Sequence, residues 1–210
     1  MTKSGKFISL EGVEGVGKTT NLEYIADHLK SVGKKVVITR EPGGTPIAEK
    51  IRGLLLDHGD EVLCKESELL LMFAARAQHL DTVIKPALQA GHWVLCDRFT
   101  DATYAYQGGG RDFLMQDIAW MEDFVQKGLK PDKTILLDLD VETGLKRASK
   151  RSEPDRFESE KKVFFEKVRQ VYLNRAEAEP DRFSVVDASL SLSQVQEAIK
   201  IQLDDFLSKE

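Results

Sequence analysis

The chain has 210 residues, 41% of them hydrophobic, which is enough to bury one core but short for two domains. Its formal net charge of −5 at pH 7 provides no overall field for nucleic acid or an anionic membrane, so a polyanion would need a local basic region. Cys64 and Cys96 lie far apart without a C-x-x-C motif or a histidine cluster, which argues against a disulfide framework and a zinc site.

The sequence also lacks membrane-targeting features. No apolar stretch approaches the ~18 residues needed to span a bilayer, and the N-terminus lacks the apolar region of a signal peptide. We therefore expect a cytoplasmic protein, one domain over residues 1–210, that binds neither a membrane nor a nucleic-acid polymer.

Apolar runs of strand length alternate along the chain with longer helical patterns. The runs are rich in β-branched and aromatic residues and cover residues 7–10, 35–39, 93–96, 134–139 and 183–186. Helical patterns cover about 18–32, 46–57, 66–90, 112–127, 141–150, 158–176 and 191–208. This alternation predicts an α/β fold in three layers, a five-stranded parallel sheet with helices on both faces. Ligands of such sheets bind beyond the carboxyl ends of the strands.

A glycine-rich segment follows the first predicted strand and precedes the first helix. It fits G-x-x-x-x-G-K-[ST], the P-loop pattern, in the strand-loop-helix context that the motif requires. Glycines let successive N–H groups point inward at a nucleotide phosphate, and the helix N-terminus adds a positive end. Lys18 would reach the β- and γ-phosphates, and the Thr19 hydroxyl would ligate Mg²⁺. The predicted nucleotide-binding residues are Gly12, Val13, Glu14, Gly15, Val16, Gly17, Lys18 and Thr19.

Polar residues also follow the other predicted strands. Asp97 ends the third apolar run, as in a Walker B strand, whose acid assists Mg²⁺ in P-loop enzymes. An ordinary ion pair is the alternative for a strand-end aspartate alone. Arg98 comes directly after it, and the two together can serve the metal and a phosphoryl oxygen.

Two segments can bind a nucleobase. Phe73 and Arg76 are three apart in a helical pattern, where a ring could stack on a base and a guanidinium donate to its oxygens. Phe73 alone would be a core residue, whereas Arg76 in an apolar stretch needs a partner. Residues 101–111 contain two tyrosines, a glutamine and three glycines, and we expect a loop there. It could close over a ligand, or its glycines could form only a flexible turn.

A basic segment lies near the fourth predicted strand. Residues 144–175 contain ten basic and five acidic residues, which is usually a solvated helix face. Here Arg151 precedes a helix-breaking segment, 152–155, and Arg156 follows it. We predict a mobile lid at residues 147–158 that delivers arginine to a transferring phosphoryl group and excludes water.

Together these motifs resemble the thymidylate kinase family, and the resemblance covers residues 11–20, 39–45, 73–78, 97–111, 131–132, 144–147 and 155–158. It implies ATP as donor, dTMP as acceptor, Mg²⁺ as cofactor and a homodimer. Lid arginines and Gly15-Val16 in the P-loop look like the bacterial type of the family. Many members place a stacking phenylalanine four residues before the arginine, where this chain has Met72.

The resemblance also implies roles for single residues. The implied catalytic residues are Lys18, Asp97, Arg98, Arg151 and Arg156; Thr19 and Asp97 hold the metal, and Arg147 joins the P-loop in binding ATP. For dTMP, it implies Glu14 near the sugar 3′-hydroxyl, Arg40, Arg52 and Arg98 at the phosphate, Phe73, Arg76, Thr103 and Gln107 at thymine, and Tyr106 under the deoxyribose.

Three other functions were weighed against the sequence. A P-loop GTPase switch needs an N-K-x-D motif, but Leu22 follows Asn21 and Arg175 follows Asn174. Another P-loop nucleoside or nucleotide kinase would share the loop and lid but not the Phe73/Arg76 and 103–107 sets. A nucleic-acid-binding protein using the basic segment would show a salt-sensitive affinity for DNA, which we do not expect.

Overall fold

The computed structural model describes residues 4–58, 61–149 and 155–209, which contain a five-stranded parallel sheet. The strands are β1 (Phe7–Glu11), β2 (Val36–Arg40), β3 (Trp93–Asp97), β4 (Lys133–Asp138) and β5 (Phe183–Asp187). Their order across the sheet is β2-β3-β1-β4-β5, so β2 and β3 lie on one side of β1, and β4 and β5 lie on the other. The predicted sheet is confirmed, and each predicted strand agrees with an observed one to within one residue at each end.

Helices connect the strands. Their bounds are α1 Lys18–Ser31, α2 Pro46–Leu56, α3 Lys65–His79, α4 Lys85–Gln89, α5 Thr100–Thr103, α6 Met115–Gln126, α7 Val141–Ala148, α8 Lys162–Ala178 and α9 Leu192–Ser208. A π-helical turn, Leu80–Ile84, joins α3 to α4, so the single helix predicted at 66–90 is two α-helices with a wider turn between them.

The prediction of a loop at residues 101–111 is wrong, because this segment is mostly helical. A second π-helical turn, Tyr104–Gly110, continues α5, and Gly108 and Gly109 are buried in it. A Cβ atom at Gly109 would lie 2.8 Å from Val171 Cγ2 on α8, and one at Gly108 would lie 2.8 Å from Met115 Sδ. These glycines therefore permit close packing rather than flexibility, a tertiary effect that glycine content alone does not reveal.

Side chains alternate between the two faces of the sheet. On β1, Ile8 and Leu10 pack with Ile25 of α1, whereas Phe7 packs with Leu80 and Ile84 of the π-helical turn after α3. Successive strand residues point to opposite faces, so helices cover both of them. This covering explains why the strands lack polar alternation. None of the helices formed by the described residues is both long and apolar enough to cross a membrane.

Local capping fixes where several helices begin. Thr45 accepts the N–H of Ala48 at 3.1 Å and is followed by Pro46, so α2 begins directly after Thr45. The Asp140 side chain accepts the N–H of Thr143 at 2.9 Å at the start of α7. Both helices thus begin near the carboxyl ends of strands, where the site lies.

Candidate active site

The predicted P-loop connects β1 to α1 at the carboxyl end of the sheet. Gly15 and Gly17 have φ angles of 76° and 86°, which favour glycine. A Cβ atom at Gly15 would overlap the backbone of Gly144, and one at Gly12 would lie 2.5 Å from Leu137 O. The loop therefore depends on its glycines both for its curvature and for its contact with the β4–α7 region.

Lys18 folds back over this loop. Its Nζ donates to the carbonyl oxygens of Gly12 at 3.1 Å and Val13 at 3.2 Å. Burial, together with the nearby Arg98, lowers the pKa of the Lys18 ammonium below its usual value. The lysine is thus held at the loop, where a phosphate can replace the carbonyl oxygens as acceptor.

A cavity of about 270 Å³ lies beside the P-loop. One wall is the P-loop from Glu14 to Thr19, and another is formed by α3 and the α5 segment. The end of α2 and the chain just after residue 154 complete the enclosure. A second ligand bound here would lie directly next to a nucleotide phosphate on the loop.

Glu14, Arg98 and Tyr106 form a contact network at the mouth of this cavity. Arg98 Nη2 donates to Glu14 Oε1 at 2.8 Å, and the Tyr106 hydroxyl donates to Glu14 Oε2 at 2.5 Å. Burial opposes ionisation of Glu14, but Arg98 and Lys18 outweigh it and hold the pKa of the carboxyl below its ordinary value. The P-loop acid is therefore an ion-pair partner on the cavity side of the loop.

The Arg98 backbone is strained to reach this position. Its φ of 65° is left-handed, which is uncommon for a residue other than glycine. Glu11, buried at the end of β1, stabilises the turn by accepting the Phe99 N–H at 2.7 Å and the Tyr172 hydroxyl at 2.9 Å. Burial, with the nearby Asp101, raises the pKa of Glu11 to about 8.

Arg76 lies at the inner end of the cavity and is buried. Its Nε donates to Glu41 Oε2 at 2.7 Å, and its Nη2 donates to Thr103 Oγ1 at 2.9 Å. His79 lies 3.0 Å from the other oxygen of Glu41. Sequence reasoning required a partner for Arg76 but did not identify Glu41, which follows β2 and also lines the cavity.

Gln107 lines the same end of the cavity and is fully buried. Its Nε2 donates to Glu68 Oε1 at 2.8 Å. Its Oε1 and the Nη1 of Arg76 have no hydrogen-bond partner among the described residues, and the same holds for one buried side-chain atom each of Asp97 and Arg98. Since buried polar atoms are normally paired, these four atoms of cavity-lining residues are available to water or to a polar ligand.

Phe73 does not reach the cavity. Its side chain is 2% exposed and packs with Leu69, Tyr104 and Ile118, so the structure places the predicted stacking ring in the core. Met72 lines the cavity instead. Adjacent helix residues point about 100° apart, which separates these two neighbours.

The arginines predicted at the acceptor phosphate are separated. Arg52 and Arg98 line the cavity, and Arg52 Nη1 donates to Pro42 O at 3.0 Å. Arg40 is 53% exposed, pairs with Glu49 through two hydrogen bonds and is not part of the cavity wall.

The predicted lid arginines lie outside the cavity wall or outside the described residues. Arg151 lies outside the described residues. Arg156 Nη2 donates to Glu68 Oε2 and its Nε to Leu55 O, both at 2.7 Å, so its side chain turns away from the cavity. Arg147 donates to Ala188 O at 2.9 Å. Phe157, a cavity residue that sequence reasoning missed, lies directly after Arg156.

Comparisons with known proteins place the chain in one family. A family model described as thymidylate kinase matches residues 10–199. Thymidylate kinases from Pseudomonas putida (strain GB-1) and Pseudomonas entomophila (strain L48) are 57% and 58% identical over 206 residues, covering 98% of this chain and of each relative. The crystal structure of thymidylate kinase from Ehrlichia chaffeensis is similar with a TM-score of 0.77 and 30% identity, covering 98% of this chain and 99% of that one. The chain therefore belongs to the thymidylate kinase family, whose reaction is the ATP-dependent phosphorylation of dTMP to dTDP.

Proposed function

We propose that the cavity binds dTMP, that the P-loop binds ATP, and that the γ-phosphoryl group passes in line between them. The observation that carries this proposal is a pair of unpaired polar atoms at the inner end of the cavity. Both atoms are buried, and within the described part of the chain the donor Arg76 Nη1 and the acceptor Gln107 Oε1 have no hydrogen-bond partner.

This donor and acceptor match the imide edge of thymine. O4 of thymine accepts a hydrogen bond and N3–H donates one, whereas cytosine has a donor at N4 and an acceptor at N3. With cytosine, the Arg76 donor would face the N4 donor and the Gln107 acceptor would face the N3 acceptor. Neither buried protein atom would then form a hydrogen bond, which is strongly unfavourable. A pocket that only fits the thymine methyl group distinguishes it from hydrogen by ~1–3 kcal/mol, so we expect dUMP to be a poorer but detectable substrate.

The sugar and phosphate of dTMP would extend from this end toward the P-loop. We assign Glu14 to the neighbourhood of the 3′-hydroxyl and Tyr106 to packing against the deoxyribose, which would reject a 2′-hydroxyl by steric overlap. Arg52 and Arg98 line the same cavity and would hold the acceptor phosphate. Arg40 would join them only after leaving Glu49.

Positioning of the two substrates and neutralisation of phosphate charge would provide the rate acceleration of phosphoryl transfer. The attacking phosphate oxygen is already ionised near neutral pH, so the reaction requires no general base. Lys18, on the P-loop, would neutralise charge on the β- and γ-phosphates.

Mg²⁺ fits the residues beside the loop. Asp97 Oδ1 is buried without a partner among the described residues, and both Asp97 and Thr19 line the cavity. No group of three or more histidine, cysteine or acidic residues among the described positions could hold a metal. This pattern suits an ion that takes most ligands from phosphates and water. Bound there, Mg²⁺ would neutralise phosphate charge, with Thr19 and Asp97 as its protein contacts.

The lid remains a proposal over residues 147–158. Arg147 would contact ATP, and Arg151 and Arg156 would stabilise the transferring phosphoryl group. For Arg156 this requires release from Glu68 and Leu55, because its guanidinium lies off the cavity wall in this structure.

We also propose a homodimer formed through α3 and α6. Trp120 and Phe124 on α6 are 68% and 69% exposed, and their rings stack with centroids 5.7 Å apart. Leu70 on α3, a helix that packs against α6, is exposed as well. Such an apolar surface is typical of an interface. Because the reaction consumes ATP, we place the enzyme in the cytoplasm.

A coupled assay with ATP and a panel of acceptors tests the acceptor assignment. We expect dTMP to give the highest kcat/KM among dTMP, dGMP and AMP, since adenine presents the reverse donor and acceptor pattern and guanine, whose O6 and N1–H match the pattern of thymine, is a larger purine. Faster turnover of dGMP or AMP would show that the cavity binds a different nucleotide.

A further inference from the structure

Glu68 is a buried acid that no sequence motif or predicted role includes. It lies on α3, four residues before Met72 and eight before Arg76, so the three share one face of the helix. Its side chain is 1% exposed. It therefore lies directly behind the thymine end of the cavity.

Three side chains converge on the Glu68 carboxylate. Gln107 Nε2 donates at 2.8 Å, Arg156 Nη2 at 2.7 Å and Arg111 Nε at 3.2 Å. A buried carboxylate is tolerated only when it is paired, and the two guanidinium groups supply that pairing. Of these three donors, Gln107 is the one that lines the cavity, so its amide connects the carboxylate to the ligand site.

A carboxylate in ion pairs accepts hydrogen bonds and donates none. The Gln107 amide must therefore turn its NH₂ toward Glu68, which leaves its carbonyl oxygen as the only atom offered to the ligand. Rotated by half a turn, the same amide would offer NH₂ and would match N3 of cytosine instead of N3–H of thymine.

We propose that Glu68 is a positioning residue that determines specificity. It holds the Gln107 amide in the orientation in which its carbonyl oxygen accepts a hydrogen bond from the imide N–H of the base. The proposal rests on the base-binding role proposed above for Gln107. Arg111 also pairs with Glu160 at 2.5 Å and lies over the Phe164 ring, so contacts besides Glu68 hold this guanidinium in place.

Glu68→Gln tests this positioning role with almost no change in side-chain shape. Glutamine can accept from or donate to the Gln107 amide, so both orientations become available. We expect the ratio of kcat/KM for dUMP to that for dCMP to fall about tenfold or more, the effect of one buried hydrogen bond. In a Gln107→Leu background the same substitution should cause no further fall. An unchanged ratio in Glu68→Gln, or an equal fall in both backgrounds, would overturn the proposal.

Glu122→Gln is the matched control. Glu122 accepts the Tyr104 hydroxyl at 2.6 Å and so anchors the same π-helical turn without touching Gln107. We expect it to leave the dUMP/dCMP ratio unchanged; a fall like that of Glu68→Gln would mean that any loosening of this turn alters selectivity. A wild-type enzyme with no preference for dUMP would contradict the proposed function itself, whereas a preference that survives in Glu68→Gln contradicts only the role of Glu68.

A measurement on the wild-type protein covers the case in which Glu68→Gln does not fold. With ¹⁵N-labelled glutamine and bound dTMP, the Gln107 NH₂ signals are identified by their loss in Gln107→Leu. We expect Overhauser contacts from these protons to the Glu68 methylene groups. Contacts to the thymine N3–H in their place would overturn the proposal.

Discussion

The two halves of the cavity are built in different ways. The P-loop offers main-chain groups whose direction is fixed by glycines with positive φ. The acceptor half offers side-chain atoms held by buried carboxylates, through the ion pair of Arg76 with Glu41 and the hydrogen bond from Gln107 to Glu68. Every nucleotide has phosphates, so a main-chain cradle suffices for the donor, whereas one base is distinguished from another only by oriented donors and acceptors.

Lys18→Met should break the donor half with the largest effect. Removal of one electrostatic contact from a transition state lowers kcat by about 10²–10³-fold. The KM for dTMP should change little, since Lys18 is assigned to ATP. Steady-state kinetics check this, and a large rise in the KM for dTMP with normal kcat would move Lys18 to the acceptor.

Arg52→Gln should weaken the acceptor half through the phosphate. A lost charge-assisted hydrogen bond corresponds to about 10- to 100-fold in the KM for dTMP. Arg40→Gln is the matched variant, and because Arg40 is exposed and lies outside the cavity wall, we expect less than about fivefold. Equal effects would show that Arg40 reaches the phosphate in the complex.

Met72 and Phe73 allow a finer comparison on the acceptor side. Met72→Ala should raise the KM for dTMP by about fivefold, because apolar contact with the base is lost. Phe73→Leu should leave this KM nearly unchanged and lower the free energy of unfolding by about 1 kcal/mol. The opposite pattern, measured by kinetics and urea denaturation, would restore Phe73 as the stacking residue.

Glu11→Gln should have the smallest effect on activity of these variants. Its main effect should be on how the free energy of unfolding changes with pH. Because the pKa of Glu11 is about 8 in the folded protein and 4.5 ordinarily, the folded state binds more protons between these values. Wild-type stability from this group therefore falls as pH rises from about 4.5 to 8. Glutamine keeps an acceptor for the Phe99 N–H and does not ionise. In denaturation experiments, the free energy of unfolding of the variant, relative to that of the wild type, should be higher at pH 8 than at pH 5. The same difference between the two proteins at both pH values would contradict the raised pKa.

The donor half could be predicted from sequence because its contacts are local. A P-loop lies within eight consecutive residues, and its flanking strand and helix have clear periodicity. The acceptor half depends on pairs far apart in the chain. Glu41 and Arg76 are 35 residues apart and Glu68 and Gln107 are 39 apart, so no local pattern connects them. The glycines at 109 and 110 misled the prediction for the same reason, since α8, the helix they pack against, is distant in sequence.

Comparison of dUMP with dCMP tests the central claim most directly, because these substrates differ only in the edge that Arg76 and Gln107 face and neither carries the methyl group. If the cavity reads an imide, kcat/KM for dUMP should exceed that for dCMP by at least about 100-fold, since dCMP leaves two buried polar atoms facing like partners. Similar values for the two substrates would contradict the account of how this enzyme selects its acceptor.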